Sequence, residues 1–148
     1  MGIQERKERE KERRRQQIMV AAKRVFSEKG FNKATMEDIA KDAELSPGTL
    51  YLYFKNKDDI LVQFFRFRTK QVFESFRDAV DGAEASTDKL RYLVRRHLDE
   101  FQRDKDGAVV YQVETHQNSR LAETQIKEMS KMYRDLISEI VEQGLERL

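Results

Sequence analysis

Residues 35–57 read Thr-Met-Glu-Asp-Ile-Ala-Lys-Asp-Ala-Glu-Leu-Ser-Pro-Gly-Thr-Leu-Tyr-Leu-Tyr-Phe-Lys-Asn-Lys and carry the strongest structural signals in the chain. Ser46 can cap a helix because its hydroxyl accepts a hydrogen bond from a first-turn amide, and Pro47 suits the first helical position. Thr35, with Asp38 three residues later, forms a near capping box that predicts an earlier helix start. We therefore expect two short helices joined by a tight turn, the plan of a helix-turn-helix.

The second of these helices has an inner and an outer side. Leu50 and Phe54 face inward, together with apolar residues of the first helix, and the 3.6-residue period turns other side chains outward. Hydroxyl groups and free helix-start amides can contact phosphates or base edges, and two lysines add positive charge past the helix end. The predicted DNA-facing set is Ser46, Pro47, Gly48, Thr49, Tyr51, Leu52, Tyr53, Lys55 and Lys57. For Tyr51 and Tyr53 the alternative is half-buried packing.

The stretch from Arg15 to Phe64 resembles the DNA-binding domain of TetR-type transcriptional repressors. Ser46-Pro-Gly-Thr-Leu-Tyr-Leu-Tyr-Phe-Lys-Asn-Lys57, followed by Asp58-Asp-Ile-Leu61, matches most closely; Ile18 to Phe26 fits helix one and Gly30-Phe31 the following turn. The resemblance implies that the DNA side includes Thr35, Ser46, Gly48, Thr49, Tyr51, Tyr53 and Lys57. Glu44 departs from the pattern, since the family often has glycine there, so we expect a strained or helical backbone at this position.

The charges are unevenly distributed along the chain. Residues 1–57 hold 14 Lys or Arg and nine Asp or Glu, whereas the remainder holds 15 and 18. A basic first part and an acidic second part fit a DNA-facing domain joined to one that does not face DNA. Residues 5–15 contain no apolar side chain, so they are either a disordered tail or a solvated extension of helix one. Arg13, Arg14 and Arg15 are candidate contacts to the DNA backbone.

The composition argues against several other classes of protein. The 148 residues contain no cysteine, which excludes disulfides and thiolate metal sites. There is no apolar run of about 20 residues to span a membrane and no signal peptide, so we expect a cytoplasmic protein. An enzyme is the main alternative, but His97 and His116 form no metal-binding motif, and no phosphate loop or nucleophile elbow is present. We expect neither a cofactor nor a metal, and we interpret a histidine on a helix flank as a hydrogen-bonded structural residue.

Periodic apolar residues predict long helices after residue 57. One helix runs from Asp58 to near Gly82, a second starts after Ser86 or Thr87, a shorter segment covers roughly 107–118, and the last begins near Arg120. We therefore expect an all-α chain with a charged extension (1–14), a three-helix helix-turn-helix domain (15–57) and a helical effector-binding domain (58–148). The apolar stripe of the last helix, from Met129 to Leu148, must be buried against something.

The family resemblance implies that the second domain binds a small effector and that the protein acts as a homodimer on a double-stranded DNA operator. Such proteins commonly continue past the position of Leu148, so either the chain is truncated or its dimer interface is built differently. The segment Val109–Leu136 faintly resembles acyl-CoA-responsive repressors of fatty-acid degradation, which makes an acyl-CoA or another amphipathic molecule the expected effector. The alternative is a DNA-binding regulator without an effector. Candidate pocket residues are Phe76, Phe101, Tyr111, His116, Met129 and Tyr133.

Overall fold

The structure, a computed structural model, describes residues 2–108, 110 and 119–146. Within these ranges six helices follow one another: α1 (Ile3–Lys29), α2 (Met36–Asp42), α3 (Pro47–Tyr53), α4 (Lys57–Asp81), α5 (Ser86–Arg103) and α6 (Ser119–Glu146). A further helical turn occupies residues 105–108, and the described residues form no strand. The prediction of an all-α fold is confirmed.

Local capping explains where the short helices begin. At α2 the amide of Asp38 donates to Thr35 Oγ1 and the amide of Thr35 donates to Asp38 Oδ2, each at 3.1 Å. At α3 the amide of Thr49 donates to Ser46 Oγ at 3.2 Å. Both predicted starts are confirmed. The α4 cap is Asn56, whose Oδ1 accepts from the amide of Asp59 at 2.8 Å; this cap was missed in the sequence.

The helix α1 is longer than the predicted span from Ile18 to Phe26. It begins at Ile3, and exposed side chains surround its first three turns. An ion pair of 3.0 Å between Glu10 and Arg13 lies along this part. Of the two alternatives for residues 5–15, the structure therefore has the solvated helical extension. The helix ends at Gly30, whose φ of +79° is a conformation that favours glycine.

Two clusters of buried side chains organise the chain, and α4 contributes to both. The first cluster joins α1, α2 and α3 to the start of α4 through residues such as Ile18, Ile39 and Leu50. The second joins the later part of α4 to α5 and α6, with Phe76 and Ile140 fully buried. One continuous helix therefore connects the second cluster to the helix-turn-helix.

The apolar stripes of α5 and α6 are only partly covered. Leu93 is buried on α5, and Leu136 and Ile140 are buried on α6. The second cluster covers only one edge of each helix, so burial of the rest of the last stripe stays a prediction. The large apolar residues that stay exposed on α5 and α6 include Leu90, Val94, Leu98, Met132, Ile137, Val141 and Leu145.

Candidate DNA interface and effector cavity

Helix α3 is fixed from inside and presents its other side to solvent. Leu50 is fully buried and Phe54, at the helix end, is 2% exposed. Tyr51 is 51% exposed and Leu52 is 82% exposed. An exposed leucine beside an exposed tyrosine on a well-capped helix leaves apolar area available for a partner, and the outward orientation predicted for these two residues is confirmed.

The remaining candidates on α3 differ in exposure. Ser46, Pro47 and Gly48 are exposed, whereas Thr49 is half-buried. Tyr53 is also half-buried and packs against the first cluster, so the packing alternative describes it better than the outward one. In the sequence Tyr53 lies between Leu50 and Phe54, the two buried residues that anchor α3, and this places Tyr53 on the flank of the helix.

Gly48 has no intramolecular requirement for glycine. A Cβ added at this position would meet only Ser46 Oγ, at 3.9 Å. Its backbone is helical and its φ is not positive. Neither space nor conformation within the chain therefore requires glycine at this position.

The turn between α2 and α3 contains the expected strain. Glu44 has a φ of +58°, in the left-handed region where a side chain is unfavourable. The turn is closed by the amide of Leu45, which donates to the carbonyl of Ala40 at 2.9 Å. Gln17 on α1 donates its Nε2 to the carbonyl of Ala43 at 2.8 Å. The helix-turn-helix is thus held against α1 at the turn itself.

Lys57 lies in a different environment from the one predicted. Its Nζ donates to the carbonyl of Phe31 at 2.7 Å and to the carbonyls of Asn32 and Ala34 at 3.1 Å each. The ammonium also lies 4.5 Å from the ring centre of Phe31. These three acceptors use all three N–H bonds in this placement, and the contact of Lys57 with a phosphate stays a prediction. Lys57 ties the loop after α1 to the start of α4.

The remaining candidates for DNA contact lie in distinct environments. Lys55 is exposed just past α3, and Thr35 is exposed while its hydroxyl caps α2. Arg13 is exposed and paired with Glu10, as described above. Arg14 and Arg15 are half-buried, and the Arg15 guanidinium lies 5.9 Å from the ring centre of Phe54. Arg15 therefore lies beside the ring of the residue that caps the end of α3.

A cavity of about 370 Å³ lies between α4, α5, α6 and the helical turn at 105–108. This volume is within the usual range for small-molecule sites, about 300–1,000 Å³. Of the predicted pocket residues, Phe76, Met129 and Tyr133 line it; the side chains of Phe101, Tyr111 and His116 lie outside the described part. The other lining residues are Arg68, Thr69, Val72, Phe73, His97, Glu100, Gly107 and Ala108.

Sequence reasoning missed the α4 residues of this cavity. Thr69, Val72 and Phe73 precede Phe76 by seven, four and three positions, which places all four on one helical face. The periodicity around Phe76 was therefore the available signal. His97 was interpreted as a hydrogen-bonded structural residue, and this is confirmed because its Nδ1 lies 2.9 Å from the hydroxyl of Tyr133.

Charged groups connect one edge of the cavity to α1. Arg68 on α4 pairs with Glu100 at 3.5 Å and with Asp104 at 3.3 Å. Asp104 also pairs with Lys23 on α1 at 3.0 Å and accepts from the amide of Gly107 at 3.0 Å. The cavity wall and the first helix thus share the carboxylate of Asp104.

The pKa of Asp104 reflects this position. Burial of the carboxyl acts to raise its pKa, but hydrogen bonds from Lys23 and the amide of Gly107, with the charges of Lys23 and Arg68, hold the pKa below its ordinary value of 3.8. Asp104 is therefore ionised at neutral pH and the contact between α1 and the cavity edge is an ion pair.

Two other features are absent from the residues that the structure describes. No helix in the described ranges combines the length and the apolar character needed to cross a membrane. The residues that the structure describes contain no group of three or more His, Cys, Asp or Glu placed to hold a metal ion.

Family models match the chain over almost its whole length. Residues 18–64 match the model described as "Bacterial regulatory proteins, tetR family". Residues 65–147 match the model described as "YsiA-like protein, C-terminal region". The boundary between the two matches lies within α4, the helix shared by both buried clusters.

Three relatives illustrate the similarity. A fatty acid metabolism regulator protein of Bacillus subtilis is 32% identical over 130 residues, which are 88% of this chain and 67% of the relative. The crystal structure of the regulator FadR of Bacillus subtilis, in complex with stearoyl-CoA, matches with a TM-score of 0.80 and 32% identity over 89% of this chain and 71% of that one. The ketosteroid transcriptional regulator KstR2 of Mycobacterium tuberculosis matches with a TM-score of 0.75 and 27% identity over 90% and 69%. The chain spans about two thirds of the length of these relatives.

Proposed function

Because the chain belongs to the TetR family of bacterial regulatory proteins, we propose that it is a transcriptional repressor that binds a palindromic operator as a homodimer. One α3 of seven residues reads too few bases to be selective alone. Two copies related by a two-fold axis place their recognition helices in successive major grooves, about 34–36 Å apart or a multiple of that distance. A chromosomal operator agrees with the cytoplasmic location expected from the sequence.

The observation that carries this proposal is the exposed surface of α3. Tyr51 and Leu52 have no packing role that accounts for them, and Gly48 leaves space for close approach. Tyr51 can donate a hydrogen bond to a phosphate or base edge, and Leu52 can make apolar contact with a thymine methyl. The proposed DNA contacts are Thr35, Ser46, Pro47, Gly48, Thr49, Tyr51, Leu52 and Lys55, with Tyr53 on the flank and Arg13, Arg14 and Arg15 beside the backbone.

In vitro selection of bound duplexes tests the proposal and supplies the operator. We expect a palindromic consensus, and Tyr51→Ala to weaken binding to it by about tenfold, since a good base contact contributes about 1–3 kcal/mol. Tyr92→Ala is the matched control, because Tyr92 is an exposed tyrosine on α5. Equal losses in the two variants would contradict the assignment of this surface.

We infer that the effector is an acyl-CoA, bound with its acyl chain in the cavity. Apolar and aromatic side chains from α4 and α6 line most of the wall, which suits a hydrocarbon chain. The FadR relative was crystallised with stearoyl-CoA, and its likeness to this chain supports the same ligand class. The cavity also favours an effector-responsive regulator over one without an effector.

Ligand binding is expected to release the operator. Residues on the cavity edge pair with Asp104, which pairs with Lys23 of α1, and α4 runs from the cavity to the helix-turn-helix. A ligand shifts this equilibrium only to the extent that it binds the DNA-incompetent state more tightly. Repacking of α4 by an acyl chain would change the separation of two recognition helices that must fit the grooves together.

Titration of stearoyl-CoA into a fluorescently labelled operator complex tests the effector. We expect the anisotropy to fall to that of free DNA as the ligand saturates, and free CoA, the control, to leave the complex intact. A ketosteroid serves as the competing ligand class. Retention of DNA at saturating stearoyl-CoA, with no heat of binding in calorimetry, would remove the acyl-CoA proposal and leave the repressor proposal standing.

A further inference from the structure

Thr69 places an unpaired hydroxyl at the wall of the cavity. The residue lies on the face of α4 that lines this space, and it is 9% exposed. Its Oγ1 has no hydrogen-bond partner among the residues that the structure describes. A buried hydroxyl without a partner costs free energy because its hydrogen bonds to water are lost on folding. Such groups are few in native proteins, so one beside a cavity points to a ligand.

The neighbouring polar groups already have partners. Glu100 accepts from Ser75 at 3.2 Å and pairs with Arg68 and Arg103. Arg68 is shared between Glu100 and Asp104. Glu100 and Arg68 thus have hydrogen-bond partners without a ligand, whereas the hydroxyl of Thr69 has none among the described residues. Thr69 is therefore a buried group on this wall with a hydrogen bond to offer.

The charged groups around Thr69 are already paired, with Arg103 as a further partner of Glu100. Arg68 lies between two carboxylates, those of Glu100 and Asp104, and Lys23 supplies the second cation at Asp104. A carboxylate brought to this position would have to compete with Glu100 and Asp104 for these cations, and burying an uncompensated charge is costly. A neutral acceptor carries no such cost. The site therefore favours an ester, thioester or amide carbonyl over a free acid.

We propose that the Thr69 hydroxyl donates a hydrogen bond to the neutral carbonyl oxygen of the effector, which for an acyl-CoA is the thioester carbonyl. The apolar chain then lies against Val72, Phe73, Phe76 and Met129. This inference rests on the proposed effector function and adds the residue that recognises the head of the acyl chain. The carboxylates of Glu100 and Asp104 beside Thr69 then disfavour a free fatty acid relative to an activated one.

The variant Thr69→Val tests this, because valine keeps the shape of threonine and removes the hydroxyl. We expect the melting temperature without ligand to rise, since an unpaired polar group is lost, and the affinity for stearoyl-CoA to fall about three- to tenfold, the range of one hydrogen bond. A purely structural role for Thr69 would not raise the melting temperature while lowering the affinity for stearoyl-CoA. Thr69→Ser should retain most of the affinity, and Thr87→Val, at an exposed threonine of α5, should change neither quantity.

A ligand pair tests the same inference on the unaltered protein. Methyl dodecanoate and dodecanoate share one hydrocarbon chain and differ in the charge of the head group. We expect the methyl ester to bind at least tenfold more tightly above neutral pH, measured by the fluorescence of a displaced probe. Equal affinity for the two ligands, or unchanged stearoyl-CoA binding by Thr69→Val, would overturn this inference alone. A failure of the unaltered protein to bind stearoyl-CoA or the ester would overturn the effector proposal together with it.

Discussion

The substitution Gly48→Ala is expected to stabilise the protein and to weaken its binding to DNA. Gly48 lies in the first turn of α3 with ordinary helical geometry, and an added Cβ would lie 3.9 Å from Ser46 Oγ, an ordinary van der Waals distance. Alanine is favoured over glycine in a helix by about 0.5–1 kcal/mol, so the free energy of unfolding should rise by about this amount. The same methyl group would occupy the surface that we assign to the approach of DNA, and a tenfold loss of affinity corresponds to about 1.4 kcal/mol.

Two measurements on one preparation test this prediction. Urea unfolding reports the stability, and fluorescence anisotropy with the selected operator reports the affinity at a fixed salt concentration. Gly82→Ala is the matched control, because Gly82 follows α4 with a negative φ and its added Cβ would meet only backbone oxygens at 3.4 Å or more. The control should leave operator binding unchanged. An alanine at position 48 that stabilises the fold and binds the operator as tightly as glycine would refute the reasoning.

The remaining predictions concern stability and assembly. Glu44→Gly should raise the free energy of unfolding by about 0.5–1 kcal/mol in urea titrations, because glycine adopts a φ of +58° without strain. The greater conformational freedom of glycine in the unfolded chain offsets only part of this gain. A lower free energy of unfolding would contradict the proposed strain at Glu44. Lys57→Met should cost about 2 kcal/mol through three lost carbonyl contacts, whereas an unchanged stability with a lower salt dependence of DNA binding would support the phosphate role. The pKa of Asp104 in the folded protein lies below its ordinary value of 3.8, so its ion pairs stabilise the fold above that pH, and this contribution is lost as the pH falls through the folded-state pKa. Asp104→Asn should therefore lower the free energy of unfolding at neutral pH by about 1 kcal/mol and weaken its dependence on acid pH. Parallel pH profiles of the two proteins would contradict this. The exposed apolar residues of α5 and α6 predict self-association of the 148-residue chain, and light scattering from a stable monomer at tens of micromolar would count against it.

The helix starts could be predicted because capping is a local property. Thr35 and Ser46 act on amides three residues away, so the signal lies within a few letters of sequence. The strain at Glu44 was expected from the family resemblance, since the family often has glycine at this position of the turn, and the φ of +58° agrees with it. The inward and outward sides of α3 followed from its period, and the structure confirms them for Leu50, Phe54, Tyr51 and Leu52.

The role of Lys57 could not be predicted in the same way. Its three carbonyl partners come from a loop 23–26 positions earlier in the chain, and no local pattern encodes that contact. The unpaired hydroxyl of Thr69 could not be predicted for a related reason, because such a group is recognised only when all of its neighbours in space are known. The stripes of α5 and α6 were evident from their period, but periodicity cannot say which edge another helix covers.

Hydroxyl-radical footprinting of the selected operator tests the central claim most directly, namely that the exposed surface of α3 reads DNA in pairs. The account predicts two protected segments related by a two-fold axis, centred about 34–36 Å or a multiple of that distance apart. In the variant Tyr51→Ala, with Leu52→Ala added, both segments should lose protection at the protein concentration that protects them in the unaltered chain, and stearoyl-CoA should remove the protection from the unaltered chain as well. A single unpaired footprint, or full protection by the double variant, would contradict the account.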